Sequence, residues 1–229
     1  MKKKLIVRYS LEFLVIFLGI SISFYLESNR ENQYKENLKK QSLNRILNNI
    51  GDDKNDFEYN LKVHDYAIKS CEWLIKNNKD LKLLSNDSIG YHLGNAIKMN
   101  TVIIDNQEEY RGLQNSGLIE LIENDTVVVG LQSKYINNDF CKKLENIIYQ
   151  KKITLLDFLT SNVISENNKS NEIGFQVGGY YVSESNIPQN IIEKIRLKKD
   201  FHSYYISMIK TLIESDKKLM SLIKKEIKS

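Results

Sequence analysis

Residues 5–26 read LIVRYSLEFLVIFLGISISFYL and carry two formal charges, Arg8 and Glu12. A helix of roughly 20 mostly apolar residues is long enough to cross a bilayer. Arg8 and Glu12 fall near the start of the run, where a pair four residues apart can meet on one helix face. The sequence therefore predicts a transmembrane helix over 5–26.

A cleaved signal peptide is the alternative interpretation of this N-terminus. The basic residues 2–4, the apolar run and the small side chains of Ser21 and Ser23 fit a signal peptide loosely. Glu12 within the run is unusual for such a peptide, and residues 27–40 continue as good helix sequence. An uncleaved anchor is therefore favoured.

The flanking charges predict the orientation of the anchor. Lys2, Lys3, Lys4 and Arg8 crowd the N-terminal side, and basic residues on the cytoplasmic side are the rule for membrane helices. We therefore expect a cytoplasmic tail at 1–4 and an extracytoplasmic domain at 27–229. In a bacterial inner membrane, that domain lies in the periplasm.

The composition restricts the fold class expected for the chain outside the membrane helix. The 229 residues include 41% hydrophobic residues, ten glycines and one proline, so helix breakers are scarce. Two cysteines are too few for a disulfide scaffold. A net charge of +4 does not suggest nucleic acid as a partner. The composition favours an all-α protein with long helices.

Apolar spacing and cap residues predict an elongated helical bundle that continues from the membrane helix. Gly51-Asp52-Asp53 is expected to end the first helix, and Thr126 to about Ile164 and Ile191 to Ile227 are expected to form long helices. The predicted caps and first-turn residues are Asp53 or Asn55, Ser85, Asn106, Asp125 and Pro188. Near 173–183, Gly178-Gly179 between two short apolar runs predicts a small β-hairpin, with a glycine loop as the alternative.

Two parts of the chain carry a resemblance. One is the pattern EFLVIFLGI at 12–20, and the other is the run YRGLQNSGLIELIEND at 110–125. Together they resemble a family of uncharacterised single-span membrane proteins of Bacteroidota, a domain of unknown function. At 25–28 this chain has YLES, where a run containing tryptophan is common in that family. The resemblance implies a bacterial envelope location and a helical soluble domain, and it implies no activity.

The residue types that carry enzyme chemistry do not form a recognisable motif. His64, His92 and His202 lack a metal-binding spacing, and no nucleophile elbow, phosphate loop or dinucleotide fingerprint occurs in the sequence. Cys71 and Cys141 are expected either to pair in an oxidising periplasm or to stay buried as free thiols. We therefore expect no catalytic residues, no cofactor and no metal.

The candidate functional residues are Glu12, Gly19 and Ser23. At about 100° per residue they fall on one line of the membrane helix, and small or polar stripes of this kind bring membrane helices together. The alternative is an interfacial Glu12 paired with Arg8 of the same chain. The leading hypothesis is a non-enzymatic, membrane-anchored protein that forms a homo-oligomer or scaffolds another envelope protein. Alternatives are an extracytoplasmic sensor or ligand-binding module, and an oligomeric ion-conducting or membrane effector that uses Glu12.

Overall fold

The structure is a computed structural model that describes residues 2–165 and 169–228, with side chains from residue 8 onward except that of residue 169. The predicted all-α fold is confirmed. The α-helices in the described residues are α1 (Lys2–Asn77), α2 (Asn86–Lys98), α3 (Glu108–Asn115), α4 (Asp125–Asn162) and α5 (Gln189–Glu226). Two 3₁₀ turns, Asn78–Leu83 and Leu118–Leu121, join neighbouring helices.

Helix α1 is continuous from the apolar segment into the bundle, so the predicted break at Gly51-Asp52-Asp53 is wrong. A glycine inside a helix costs only about 1 kcal/mol relative to alanine. Ile50 and Phe57, on either side of Gly51, are both buried in the core. Asp53 is not a helix cap, because its side chain is buried in an ion pair with Lys134. Packing on both sides of the glycine therefore outweighs its low helix propensity.

The long helices form the frame of a bundle with four positions. Helix α5 packs along both α1 and α4, and α2 packs against α1 and α4 as well, so α1 and α4 occupy opposite corners. Residue contacts show that α1 and α4 run in the same direction, with α5 antiparallel to both. The fourth position is shared by α2, an extended segment over 99–107 and α3.

The bundle core begins about 20 Å beyond the apolar segment. Residues 8–35 of α1 are all exposed, and the first fully buried side chain is Lys39. Thirteen residues separate Lys39 from Leu26, which corresponds to about 20 Å of helix. The core itself contains three main apolar clusters, centred on Leu43 near the apolar segment, on Phe57 in the middle and on Leu74 at the far end. The far end is called the distal end below.

The helix starts correspond to polar side chains in most of the predicted places. Ser85 accepts a hydrogen bond from the Ser88 backbone N–H, as expected of an N-cap. The side chain of Asn124, rather than the predicted Asp125, caps α4 by accepting from the Thr126 N–H. Asn106 accepts from the Glu108 N–H at the start of α3. Pro188 immediately precedes α5.

The short strands lie where the hairpin was expected, but they pair differently. Strand β3 (Gln176–Val177) pairs with β2 (Lys169–Ser170), and β4 (Tyr180–Tyr181) pairs with β1 (Val163–Ile164). Strands β3 and β4 therefore do not form a hairpin with each other.

The glycines of this region explain why the pairing differs. Gly178 and Gly179 have φ values of 104° and 135°, which favour glycine. They pass against α2 so closely that a Cβ added to Gly90 would lie 1.9 Å from the Gly179 carbonyl oxygen. The glycine pair is thus a contact with α2, and the strands on either side find partners elsewhere.

Candidate functional site

The apolar part of α1 is the strongest candidate for a membrane-contacting surface. Among the described residues, α1 is the one helix that is both long enough and apolar enough to cross a bilayer. No part of its most apolar stretch is buried in the protein. A core helix of a soluble protein would bury such side chains, since each is stabilised by removal from water. A signal sequence would share these properties, so this feature alone is weak evidence for a stable span.

The three sequence-predicted site residues all lie on this exposed part of α1. Glu12 Oε1 accepts a hydrogen bond from Arg8 Nε at 3.0 Å, which is the pairing within one chain that the alternative interpretation expects. Ser23 Oγ donates to the Gly19 carbonyl at 2.9 Å, so its hydroxyl is satisfied within the helix. Beyond the local helix backbone, no described atom lies within 4 Å of a Cβ placed on Gly19. A second helix can therefore approach the chain closely at Gly19.

This stripe points away from the bundle to which α1 belongs. Glu12 and Lys39 are 27 residues apart, which is about seven and a half helical turns. The buried side chains of Lys39, Leu43 and Ile46 therefore lie on the opposite face of α1 from Glu12, Gly19 and Ser23. A second helix could therefore contact the stripe without a clash with the bundle to which the stripe is attached.

A buried ion cluster joins α1, α4 and α5 between the first two apolar clusters. Lys134 Nζ lies 2.8 Å from Asp53 Oδ2 and 2.9 Å from Asp216 Oδ2. Burial raises the pKa of both carboxyl groups, while the lysine charge opposes that shift. The cluster fixes the register of the three long helices because one ammonium group must reach two carboxylates.

A second polar layer, between the middle and distal apolar clusters, contains two histidines. His64 Nδ1 and His202 Nδ1 are 2.9 Å apart, and His64 Nε2 is 2.8 Å from Thr101 Oγ1. Burial lowers the pKa of His64 to about 3 and holds that of His202 well below its ordinary value. Both imidazoles are therefore neutral at pH 7, so one donates and the other accepts in their contact.

Glu145 and Lys198 are the charged residues nearest this layer. Glu145 Oε1 accepts from the Ile103 N–H at 2.8 Å and from the Tyr205 hydroxyl at 2.6 Å, and burial raises its pKa to about 7. Lys198 Nζ donates to the carbonyls of Ala96, Ile97 and Met99 at the end of α2. Burial lowers the pKa of Lys198 to about 8. These contacts hold the extended segment and α2 against the long helices.

A third polar contact lies at the end of the bundle nearest the apolar segment. Glu226 at the end of α5 accepts from the backbone N–H groups of Glu123 and Asn124, just before α4. Lys39 Nζ lies 3.7 Å from Glu226 and donates to the Leu121 carbonyl at 2.8 Å. The segment of α1 that leaves the bundle is thus tied to α4 and α5 at the point of exit.

These buried charges were not foreseen from the sequence as functional or structural residues. A signal was present, because Lys134, Lys198 and Asp216 all occupy inward positions of otherwise apolar heptads. Charged residues at such positions pair across a core, but the sequence does not show with which partner. The arrangement accounts for them as structural ion pairs and helix caps.

The cysteines and histidines form no reactive centre. Cys71 and Cys141 are both free and buried, in different apolar clusters, which settles the open alternative in favour of free thiols. Burial raises the pKa of each thiol to about 12. His92 stacks on Trp73, with ring centroids 4.1 Å apart. Among the described residues, no group of three or more His, Cys, Asp or Glu is placed to hold a metal ion.

One surface cleft lies at the distal end of the bundle. It has a volume of about 550 Å³ and is lined by the 3₁₀ turn, the start of α2 and the segment after β4. Its walls include Leu81, Lys82, Tyr180 and Tyr181. The exposed lining of the cleft is more polar than apolar, with Lys82, Asn86 and Glu184 among its residues, and the cleft is large enough for a small ligand.

Comparison with known proteins assigns neither a family nor a function to this chain. The chain matches no protein-family model and no curated protein, and its fold matches no solved structure. The inference of function therefore rests on the residues and geometry described above.

Proposed function

We propose that this chain is a non-enzymatic protein of the bacterial inner membrane. It is anchored by one span, has a cytoplasmic N-terminus, and self-associates or scaffolds a second envelope protein from its periplasmic bundle. The carrying observation is the single continuous helix α1, whose exposed apolar segment runs without a break into the bundle. The resemblance to single-span proteins of Bacteroidota is consistent with this proposal and remains an expectation.

The continuous helix α1 connects the proposed span rigidly to the bundle. A helix is stiff over the ten or so residues between the span and the bundle, so the bundle stands at a fixed height above the bilayer. The contact of Lys39 with Glu226 and Leu121 ties that helix to α5 and α4 where it exits. Movement of the span is therefore transmitted to the bundle as a rigid body, as a scaffold requires.

Association through Glu12, Gly19 and Ser23 is the proposed contact within the membrane. The stripe faces away from the bundle, and Gly19 leaves room for a second backbone. Contacts of this kind contribute on the order of 1 kcal/mol each. Glu12 lies about 10 Å along the axis from Gly19, so it exchanges its Arg8 partner for one in the neighbouring helix near the membrane interface.

Disulfide trapping of the full chain in native membranes tests this contact. Single cysteines at positions 19 and 23 should cross-link, and cysteines at 17 and 21 should not. The native thiols can stay in place because both are buried and their pKa values are raised to about 12. Gly19→Leu should reduce trapping at position 23, whereas Ile20→Leu, about 100° around the helix, is the matched control. Equal trapping at all four positions would remove the stripe as an interface.

Ligand binding is a second candidate function, favoured by the distal cleft. The cleft lies at the end of the bundle farthest from the span, where a soluble ligand would reach it first. A Tyr181→Ala variant should enlarge the cleft, and an Ile104→Ala variant changes an exposed residue outside it. Ligand-induced thermal stabilisation by a metabolite set that is lost only in Tyr181→Ala would favour this function.

A further inference from the structure

Helix α4 carries a second apolar face that the bundle does not use. Its inward face is a heptad seam of buried residues at 127, 131, 134, 138, 141, 145 and 148. On the opposite side, residues 129, 133, 136, 140, 143 and 147 follow the same alternation of four and three residues. All six outer positions are exposed, and four of them are Val129, Ile136, Phe140 and Ile147. Residues 129–147 on this side are called the outer seam below.

Exposed apolar residues at heptad spacing are the pattern by which helices pair in coiled coils. Ile136 is 68% exposed and Val129 is 57% exposed, which is unusual for large aliphatic side chains on a stable bundle. Tyr204 of α5 packs edge-on against Phe140, with ring centroids 6.3 Å apart, and widens the apolar strip. Val129 and Ile136 remain the most exposed members of the strip.

We propose that the outer seam of α4 binds the outer seam of a second copy of this chain, side by side in the same membrane. This inference rests on the proposed function, since it names the partner and the surface of self-association. Helix α4 runs parallel to α1, and α1 sets the height of the bundle above the bilayer. Two anchored copies therefore present Ile136 and Phe140 at equal heights. A two-fold axis along the membrane normal then places each seam residue opposite its own copy.

The area of the seam favours an anchored copy over a soluble partner. Residues 129–147 span about 27 Å of helix and the seam is about 10 Å wide, so a pair of seams buries on the order of 500 Å². Specific complexes that are stable in solution bury about 1,200–2,000 Å². A contact this small needs the high effective concentration that confinement to one membrane supplies, and a second anchored copy has that confinement.

Lys143 is the charged residue within the seam, and it gives the proposal a sharp test. In the paired state its methylene stem lies along the apolar strip while the ammonium group turns out to water. Two lysines at equal heights weaken the contact, as a polar residue at a core heptad position does. Lys143→Leu should therefore strengthen the association through the seam, and the gain should not extend to the opposite side of α4.

The seam and the span stripe serve different contacts. Because α1 and α4 occupy opposite corners of the bundle, copies paired through α4 hold their α1 helices roughly 35 Å apart. Copies paired through α4 therefore cannot also touch through their own spans, and use of both surfaces links copies into a row in the membrane.

The test is cysteine trapping of the full chain in native membranes, with Ile136→Cys and, separately, Tyr149→Cys as a control. Tyr149 is exposed on α4 but lies about 160° around the helix from the seam. We expect cross-linking at position 136 and not at 149, loss of cross-linking on adding Phe140→Asp, and more cross-linking on adding Lys143→Leu. Thermal unfolding by circular dichroism checks that Phe140→Asp leaves the bundle folded.

The outcomes separate this inference from the proposed function. Cross-linking at 136, with or without cross-linking at 19, supports the α4 seam. Cross-linking at 19 without 136 overturns the seam and leaves self-association standing. No cross-linking at either position, together with a monomeric mass in detergent, overturns both the seam and self-association. Equal cross-linking at 136 and 149 reflects random collision and also overturns the seam.

Discussion

Replacing Lys134 with methionine should destabilise the bundle more than any surface substitution. The change removes the cation that lies 2.8 Å from Asp53 and 2.9 Å from Asp216 and leaves two buried carboxylates without it. Removing one partner of a buried ion pair costs about 3–5 kcal/mol. For a chain of this size, each kcal/mol lowers Tm by about 2–4 °C, so we expect a loss of about 10 °C.

The pH dependence of the stability lost in Lys134→Met tests whether the unpaired carboxylates cause that loss. Burial already raises the pKa of Asp53 and Asp216 above the ordinary value of 3.8, and loss of the lysine charge raises it further. A carboxyl group whose pKa is raised in the folded state does not destabilise the fold while it is protonated. The free energy of unfolding then falls as pH rises through that pKa. The destabilisation should therefore be small near pH 3.8 and full at neutral pH.

The assay is thermal unfolding of the full chain in detergent, followed by circular dichroism. A triple variant that combines Lys134→Met with Asp53→Asn and Asp216→Asn is the matched control, since it removes the unpaired charges and retains similar side-chain volumes. It should recover much of the lost stability. If Lys134→Met unfolds at the wild-type temperature, or loses equal stability at acid and neutral pH, the ion cluster does not hold the helices together as argued.

Four other experiments have defined outcomes. Gly51→Ala should raise the free energy of unfolding by about 1 kcal/mol, because Gly51 lies inside α1 and its added Cβ would meet no atom within 4 Å beyond the local helix backbone. Gly90→Ala should lower the free energy of unfolding, because its added Cβ would lie 1.9 Å from the Gly179 carbonyl oxygen. A lower melting temperature for Gly51→Ala would contradict the continuous helix, and an unchanged or higher one for Gly90→Ala would contradict the close approach of the two segments. Glu145→Gln should stabilise the protein above pH 7, where the buried carboxylate is ionised at a cost, and should have little effect below pH 4.5, so equal effects at both pH values would exclude this cause. His64, whose pKa falls from 6.5 to about 3, should make the wild type less stable as pH falls through that interval, and a His64→Gln, His202→Gln variant should show a flatter acid limb in the same assay. Alkaline phosphatase fused after Ser229 should be active, since the basic residues precede the span, and an active cytoplasmic reporter at the same position would reverse the orientation.

The periodicity of apolar residues was sufficient to predict most of the helices. Residues 5–26 are mostly apolar, and the described side chains over 8–26 are all exposed, as a segment predicted to cross a bilayer requires. The long helices α4 and α5 carry apolar residues at a helical period, and Ser85 and Pro188 indicate where two helices begin. These are local properties, decided by neighbouring residues within a few turns, and the sequence displays them directly.

Interactions between residues far apart in the sequence decided the continuity of α1 and the pairing of the short strands. Gly51 resembles a helix end locally, and only the burial of Ile50 and Phe57 on either side keeps α1 continuous. Likewise, Gly178-Gly179 resembles a hairpin turn, but its approach to Gly90 sends β3 and β4 to separate partners.

The same distinction applies to the candidate sites. The stripe of Glu12, Gly19 and Ser23 could be found from the sequence because it depends only on the angle between residues of one helix. Lys134 and its two aspartates could not be matched from the sequence, because they lie on three helices whose alignment is set by packing. The outer seam of α4 also required the structure. Two opposite apolar faces look alike in sequence, and only the position of α1 and α5 shows which one the bundle buries.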